Sequence, residues 1–326
     1  MVNMEQPAKE VLFLIFGHTT LDNIIYDNGS CFFRTPGGGG LNAASAASCW
    51  CNNKEVGLIT KISNQFNKND LEIIRHHPAM NSEGMTRLDG KGLKLWLLTD
   101  DDGYRHWVLH NDSCTREAAS PLPEDIPQRF LKTAVGSHFS PLPLTSLRSL
   151  INALPSEMYI QVDPHYEYFI YENREKWNDI LKVTDVILPS QDELTKFFGI
   201  PYDQPEEEIK NFAKRLSEMG PGIVVVKVGE KGVIVYQRQE DVCFALPSYA
   251  QSVKDITGAG DSFCGGFLIS MCREESLQTA TIKGLISSGM KITQTGVMPN
   301  FQTPYGKADS IYRNLLEQGS ISMRYL

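Results

Sequence analysis

Asp255-Ile256-Thr257-Gly258-Ala259-Gly260-Asp261-Ser262-Phe263 is the segment from which fold and chemistry can be predicted together. Its glycines let the backbone pass close to a ligand, and the small, apolar residues that follow continue as a helix. Free N–H groups at a helix start point outward with the positive end of the dipole, so Gly258, Ala259 and Gly260 form a candidate anion hole. Asp261, in the first turn, could accept a proton from a hydroxyl in front of that hole. An anion hole beside a base is what phosphoryl transfer requires.

The same spacing has a purely structural interpretation. A tight turn between a strand and a helix also uses glycines, and Asp261 would then be only a favourable acid in the first helical turn. Short glycine motifs arise often by chance. The rest of the chain must therefore decide between the two.

Strands and helices alternate through the second half of the chain, which is typical of a parallel sheet with crossover helices. Strands are predicted at residues 134–139, 159–162, 186–188 and 223–228, and helices at 144–153, 177–182, 193–198 and 209–219. A buried strand at 11–17, a helix at 41–50 and a strand at 56–59 extend the pattern towards the N-terminus. Residues 232–237 and 242–246 predict a β-ribbon, and 277–293 a helix. The fold class is therefore α/β.

Two hairpins are predicted outside this pattern. Residues 24–26 and 31–34 flank Asp27-Asn28-Gly29, a strong hairpin signal. Residues 93–98 and 104–109 flank a turn at 99–103, whose acids at 100–102 fit a loop better than a cation site. We expect the two hairpins to pair into one small flap.

Composition limits the classes of partner. The net charge of −8 and an isoelectric point near 5.4 argue against nucleic acid and anionic membranes. The apolar stretch 11–16 is too short to span a bilayer and lacks the basic leader of a signal peptide. The seven cysteines have no CxxC spacing, so we expect buried, reduced thiols. These features predict a cytoplasmic protein without membrane or nucleic-acid partners.

The segment TGAGDSF, with an Asp two residues before its Thr, resembles the C-terminal signature of the ribokinase family, the PfkB-type carbohydrate kinases. Independently, residues 36–44, PGGGGLNAA, are similar to the family's N-terminal glycine signature. Weaker matches lie at 17–22, 162–165, 188–193 and 226–232. The resemblance implies a three-layer ribokinase-like fold: a central, mostly parallel sheet flanked by helices. It also implies a single kinase domain over residues 1–326, with a small β lid at about 22–36 and 92–110.

The resemblance further implies an ATP-dependent kinase that phosphorylates a hydroxyl of a sugar or sugar-like molecule. Asp261 would be the catalytic base, with Gly258, Ala259 and Gly260 as the anion hole. Asp22, Gly37, Gly38 and Asn42 would bind the substrate, while Ser190, Lys227, Gly229 and Gly232 would bind ATP. Glu193 would order Mg²⁺ through water, and Asp255 would lie beside a monovalent cation such as K⁺. From its position in the second hairpin, Trp107 is a candidate wall of the substrate site, as are Trp96 and Tyr104.

Three departures from the family pattern qualify these implications. Ser190 stands where the family usually has Asn, which puts the water network of the metal in question. Ile256 replaces a common Thr, so the use of K⁺ is left open. Gly39 stands where ribokinases proper have Lys, which argues against ribose.

The short interval of 15 positions between Asp22 and Gly37 predicts a compact lid. Members of the family with such a short interval include inositol-type and nucleoside-type kinases, so the resemblance implies a sugar or cyclic polyol as the first candidate substrate and a nucleoside as the second. We expect the protein to be a monomer or a homodimer. A dinucleotide-binding dehydrogenase is disfavoured because no GxGxxG with a following acid is present. A non-catalytic sugar sensor would be favoured if the base or the anion hole were missing, and the sequence retains both.

Overall fold

The computed structural model describes residues 10–100, 105–250, 252–319 and 322–326. The strands are β1 (Phe13–Phe16), β2 (Thr20–Ile25), β3 (Cys31–Gly37), β4 (Val56–Ser63), β5 (Met80–Asn81), β6 (Met85–Leu88), β7 (Leu93–Thr99), β8 (Arg105–Leu109), β9 (Gly136–Phe139), β10 (Tyr159–Val162), β11 (Val186–Ile187), β12 (Ile223–Lys227), β13 (Val233–Gln237), β14 (Val242–Leu246) and β15 (Arg324–Tyr325). The helices are α1 (Gly39–Ser48), α2 (Lys68–His76), α3 (Arg116–Ala119), α4 (Phe130–Thr133), α5 (Leu144–Ile151), α6 (Arg174–Lys182), α7 (Gln191–Phe198), α8 (Glu206–Glu218), α9 (Ala259–Cys272), α10 (Leu277–Ile292), α11 (Met298–Phe301) and α12 (Lys307–Glu317).

The large sheet follows the order β15-β14-β13-β12-β11-β10-β9-β1-β4-β5, with β6 also paired to β4. Neighbours from β5 across to β12 run parallel, and β12 to β15 run antiparallel. β1 lies between β4 and β9, so the strand order reverses there. Open α/β sheets bind ligands outside the carboxyl ends of their strands at such a point. The predicted strand and ribbon pattern is confirmed.

Helices cover both faces of the sheet. Trp177 on α6, Phe197 on α7 and Leu216 on α8 belong to the core on one face. Leu41 on α1 and Ile269 on α9 belong to the core on the other. All five side chains are fully buried. The predicted three-layer fold with a mostly parallel sheet is confirmed.

Small residues let α1 and α9 approach closely. A Cβ atom on Gly265 of α9 would overlap the carbonyl oxygen of Ala43 on α1. Such close packing needs a helix surface without side chains, and both segments are rich in Ala and Gly. As a result the two helices begin next to each other at the same edge of the sheet.

Strands β3-β2-β7-β8 form a second sheet, which we call the lid sheet. β2 pairs antiparallel with β3 and parallel with β7, and β7 pairs antiparallel with β8. Both predicted hairpins exist and pair as expected, although residues 101–104, with Tyr104 and most of the second turn, lie outside the described residues. Whether the chain is one domain with a closing lid stays a prediction.

The two faces of the lid sheet differ in what they contact. Trp107 pairs with Leu97 in the ladder, and both border the cavity beneath the sheet. Successive residues of a strand point to opposite faces, so Trp96 lies on the other face, where its ring packs against Phe33 and His110. The prediction that Trp96 forms a wall of the site is therefore wrong.

Some elements were not predicted from the sequence: α2, α12 and the short strands β5, β6 and β15. The two-residue strands leave too few residues for a periodic pattern. Length does not explain the omission of α12, which is an amphipathic helix of 11 residues. Among the described residues, no helix combines the length and apolar character needed to cross a membrane.

Candidate active site

Two helix N-termini meet at the carboxyl edge of the parallel strands. α1 follows Gly38, at φ 98°, and α9 follows Gly258, at φ 75°. Residues with a Cβ atom rarely adopt this backbone conformation, which explains a glycine at each helix start. Within the described part of the chain, neither helix has a side-chain N-cap. The site therefore combines the positive ends of two helix dipoles, which favours an anion.

The two glycine signatures touch each other here. A Cβ atom on Gly258 would overlap the side chain of Asn42, and one on Gly39 would lie 2.7 Å from Oδ1 of Asp261. A Cβ atom on Gly37 would likewise overlap the carboxylate of Asp22. The glycines are thus the places where the predicted substrate residues and the predicted base come within contact distance. The structure brings together two segments that lie over 200 positions apart in the sequence.

Buried polar side chains face the cavity between these segments. Asp22 and Asn42 are 4% and 3% exposed. The Asn42 amide donates to the carbonyl oxygen of Gly38 at 3.1 Å, but its Oδ1 has no hydrogen-bond donor among the described residues. The Thr20 hydroxyl also has no hydrogen-bond partner among the described residues. Buried polar atoms are nearly always hydrogen-bonded, so this pattern fits a cavity that receives a polyhydroxylated ligand. Thr20 lies in the segment 17–22 that resembles the family, but the resemblance implied no role for this residue.

The cavity has a volume of about 150 Å³ and is closed on one side by the lid sheet. Trp107, 53% exposed, lies at its border, together with Arg116, His165 and Tyr166. Burial, with smaller contributions from Arg116 and His18, lowers the pKa of His165 to about 3, so its imidazole is neutral. Unlike Trp107, the residues Arg116, His165 and Tyr166 were not predicted to line the site, because no spacing in the sequence relates them to the glycine signatures.

Asp261 has the electrostatic properties of a base. Burial, together with the nearby charge of Asp163, raises its pKa to about 6, while Lys227 and Lys291 act in the opposite direction. A carboxylate with such a pKa is ionised at neutral pH and accepts protons more readily than an ordinary Asp. Perturbed carboxylates of this kind are typical of functional sites.

Lys227 brings a positive charge to the predicted anion hole. Its Nζ donates to both carboxylate oxygens of Asp163, at 2.7 Å each, and would lie 3.3 Å from a Cβ atom on Gly260. Although burial acts against it, the charges of Asp163, Cys264 and Glu193 hold the pKa of Lys227 above its ordinary value. The ammonium therefore stays charged and can neutralise a phosphate. The role of Asp163 in holding Lys227 was not predicted.

Ser190 and Glu193 bind each other at the start of α7. The Ser190 amide and hydroxyl donate to Oε2 of Glu193 at 2.7 and 2.9 Å, and the Glu193 amide donates to the Ser190 hydroxyl at 3.2 Å. Ser190, at the position where the family usually has Asn, thus forms a capping box with Glu193. Burial and the charge of Asp163 raise the pKa of Glu193 to about 7.

The remaining predicted residues lie around this centre. Gly229 and Gly232 belong to the turn that follows Lys227, at φ 63° and 99°. The Ala259 amide donates to the carbonyl oxygen of Ile256 at 3.2 Å, which leaves Gly258 and Gly260 as the freer amides of the predicted hole. Asp255 lies behind the loop and is fully buried. Among the described residues, no three His, Cys, Asp or Glu side chains form a metal-binding cluster.

Comparison with known proteins agrees with this geometry. Residues 12–304 match the sequence profile of the pfkB family carbohydrate kinases. The chain is 28% identical to the cytidine kinase of Thermococcus kodakarensis, over 83% of this chain and 92% of that protein. It is 25% identical to a 5-dehydro-2-deoxygluconokinase of Listeria monocytogenes, over 74% and 76%. The ribokinase from Giardia lamblia superimposes with a TM-score of 0.75 at 17% identity, covering 94% of this chain and 99% of that one.

The profile match covers both glycine signatures, the strand that carries Lys227 and the capping box at Glu193. These are the segments that the fold gathers at one edge of the sheet. Membership of such a family implies ATP and Mg²⁺ as partners of the reaction. From the matched residues and the common fold we conclude that this chain is a kinase and belongs to the pfkB family of carbohydrate kinases.

Proposed function

We propose that this kinase transfers the γ-phosphoryl group of ATP to a hydroxyl of a sugar or cyclic polyol, with Asp261 as the general base. The observation that carries the proposal is the meeting of Asp261, Asn42 and Gly258 at two helix N-termini. Asp22 and Asn42 hold the acceptor through hydrogen bonds to its hydroxyls. Asp261 takes the proton of the hydroxyl that attacks. A bond forms between that oxygen and the γ-phosphorus while the bond to the β-phosphate oxygen breaks, and ADP leaves.

The donor side of the site is proposed as follows. Gly258, Gly260 and Ala259 direct the helix N-terminus at the γ-phosphate, and Lys227 neutralises part of its charge. The turn with Gly229 and Gly232 lies along the rest of the nucleotide. Mg²⁺ usually keeps several waters and is bound mainly by the substrate phosphates in such sites. Glu193 and Ser190 would orient the waters of a bound Mg²⁺, which would supply positive charge to the phosphates.

The size of the cavity favours a single ring as acceptor. Its volume of about 150 Å³ lies below the roughly 300 Å³ at which pockets for drug-sized ligands begin. A nucleoside is the second candidate, because Trp107, His165 and Tyr166 offer ring faces beyond the polar residues, and one relative is a cytidine kinase. The predicted monomer or homodimer and the cytoplasmic location stay predictions.

An acceptor panel tests the proposal. Purified protein with ATP and Mg²⁺ is offered hexoses, pentoses, inositols and nucleosides, and ADP release is measured alongside the mass of the product. We expect the mass of one phosphate to be added to a sugar or polyol. If only nucleosides are phosphorylated, the proposed acceptor class is wrong, whereas the proposed phosphoryl transfer stands. If no acceptor class gives a phosphorylated product, the proposal is contradicted.

Trp107→Ala should raise KM for the acceptor about fivefold, because one aromatic contact is worth roughly 1 kcal/mol. KM for ATP should stay unchanged, since Trp107 lies in the lid sheet, on the side of the cavity away from the predicted nucleotide residues Gly229 and Gly232. Trp96→Ala is the matched control, because that ring lies on the opposite face of the same sheet. Equal acceptor KM values for wild type and Trp107→Ala would reject the role of Trp107.

Glu193→Gln should raise the Mg²⁺ concentration for half-maximal rate about tenfold, since residues that orient a metal's surroundings have effects of that size. The amide oxygen of Gln can still accept from Ser190, so the capping box should survive. At saturating Mg²⁺ the rate should approach that of wild type. Asp192→Asn, an exposed change in the same helical turn, is the control. Superimposable Mg²⁺ titrations for Glu193→Gln and wild type would exclude the assignment.

A further inference from the structure

A buried lysine faces the carboxylate that begins the signature segment. Nζ of Lys291, on the last turn of α10, lies 3.8 Å from Oδ2 of Asp255, and their side chains are 1% and 0% exposed. A charge taken out of water is tolerated in a protein only beside a partner. Lys291 and Asp255 are therefore an internal ion pair, located directly behind the anion hole.

Asp255 connects the signature loop to the end of α10. Its Oδ1 accepts from the amide and hydroxyl of Thr257, at 2.9 and 2.6 Å. Its Oδ2 accepts from the amide of Gly296 at 3.2 Å. The amides of Lys254 and Asp255 also donate to the carbonyl oxygen of Ile292, at 2.7 and 3.2 Å. The position of this one carboxylate thus fixes where the loop before Gly258 begins.

The residues around Asp255 do not fit the monovalent cation that the family resemblance implies. A carboxylate oxygen that would contact K⁺ already faces the ammonium of Lys291. Two unit charges of the same sign repel strongly where water is excluded. A second cation within contact distance of the same oxygen would have no compensating charge, because the carboxylate carries only one.

We infer that the ammonium of Lys291 takes the place of a monovalent cation beside Asp255, so that this kinase holds its anion-hole loop in position without K⁺. Lys291 is then a positioning residue that acts through Asp255 and the loop. Its charge is also felt at the base, since Lys291 is one of the groups that lower the pKa of Asp261. The inference rests on kinase activity only for the rate measurements below.

The first test uses the unaltered protein. Thermal unfolding and the rate of ADP formation are measured in KCl, NaCl and choline chloride at one ionic strength, so that general screening is constant. Because an ion that binds only the folded state raises Tm, we expect Tm values within about 1 °C and rates within about twofold in the three salts. A selective rise of Tm or rate in KCl would overturn the inference. Tm needs no acceptor, so this result stands even if the proposed acceptor class is wrong.

The second test removes the ammonium. Lys291→Ala leaves space beside Asp255, so K⁺ should now raise Tm by about 2 °C or more over NaCl and choline chloride. Without K⁺ the rate should fall about 10²-fold, the size expected when a site is displaced by an ångström, and K⁺ should restore part of it. Lys291→Met fills the space with apolar atoms and should show neither response.

Lys283→Ala is the matched control. Lys283 is also buried on α10, 5% exposed, but pairs with Glu275 at 2.7 Å, away from the signature loop. This variant should lose stability without gaining any K⁺ response. A folded Lys291→Ala protein that keeps wild-type activity in choline chloride, or that shows no K⁺ response in Tm or rate, would contradict the inference. If that variant does not fold, the three-salt comparison of the wild type decides.

Discussion

Asp261→Asn should lower kcat about 10²- to 10⁴-fold, because a positioned general base contributes a factor of that size. The amide has nearly the same shape as the carboxylate but cannot accept the hydroxyl proton. Acceptor KM should change little, since Asp22 and Asn42 remain. Initial rates at saturating ATP and acceptor, measured beside wild type, check this. Turnover within a few-fold of wild type would remove Asp261 from the mechanism.

The stability of Asp261→Asn serves as its control. The folded protein raises the pKa of Asp261 to about 6 through burial and the charge of Asp163, above the value near 3.9 of a free Asp. The folded state therefore binds this proton more tightly than the unfolded chain, and stability is lost as pH rises from about 4 through 6. The neutral amide avoids that loss, so its Tm at pH 8 should equal or exceed that of wild type. Lost activity with retained Tm assigns the effect to chemistry.

Gly258→Ala should lower kcat/KM about 10²-fold or more, because the new methyl group would displace the side chain of Asn42 and shift the start of α9. The left-handed backbone at φ 75° adds a strain of about 1–2 kcal/mol. Activity and thermal unfolding are measured together. An Ala variant with wild-type kcat/KM would show that the two signatures need not touch.

Gly306→Ala separates strain from contact. Gly306 also precedes a helix, α12, at φ 84°, but a Cβ atom there meets nothing within 4 Å. Both variants have similar backbone strain, but only Gly258→Ala adds the clash with Asn42, so its stability loss should be the larger of the two. Only Gly258→Ala should lose activity. Equal activities in the two variants would contradict the proposed contact with Asn42.

The sequence predicted those parts of the fold that rest on local patterns. Alternating strands and helices between residues 134 and 228 gave the parallel sheet, and Asn28-Gly29 gave the first hairpin of the lid sheet. The glycines at 38 and 258 also carry local information, since a helix start in a left-handed conformation nearly requires that residue. Two-residue strands such as β5 carry no such local information, so they were not predicted.

The interior of the site depends on contacts between distant residues. Asp163 holds Lys227 across 64 positions, and Asp255 faces Lys291 across 36. No spacing in the sequence relates either pair, because register and helix packing bring them together. The side on which Trp96 lies depended on the pairing of β7 with β8. Such features need the structure, whereas the base and the anion hole were predicted from one segment.

The pH dependence of kcat/KM tests most directly whether Asp261 takes the proton of the acceptor. This quantity reports the ionisation of essential groups in the free enzyme. With a pKa of about 6 at Asp261, the account predicts a decrease of about tenfold per pH unit below pH 6. That decrease should persist in Glu193→Gln and be absent from the residual activity of Asp261→Asn. Two results would contradict the role of Asp261 as the base. One is a wild-type profile that stays flat from pH 8 down to pH 5. The other is an Asp261→Asn profile that decreases at low pH as the wild-type profile does.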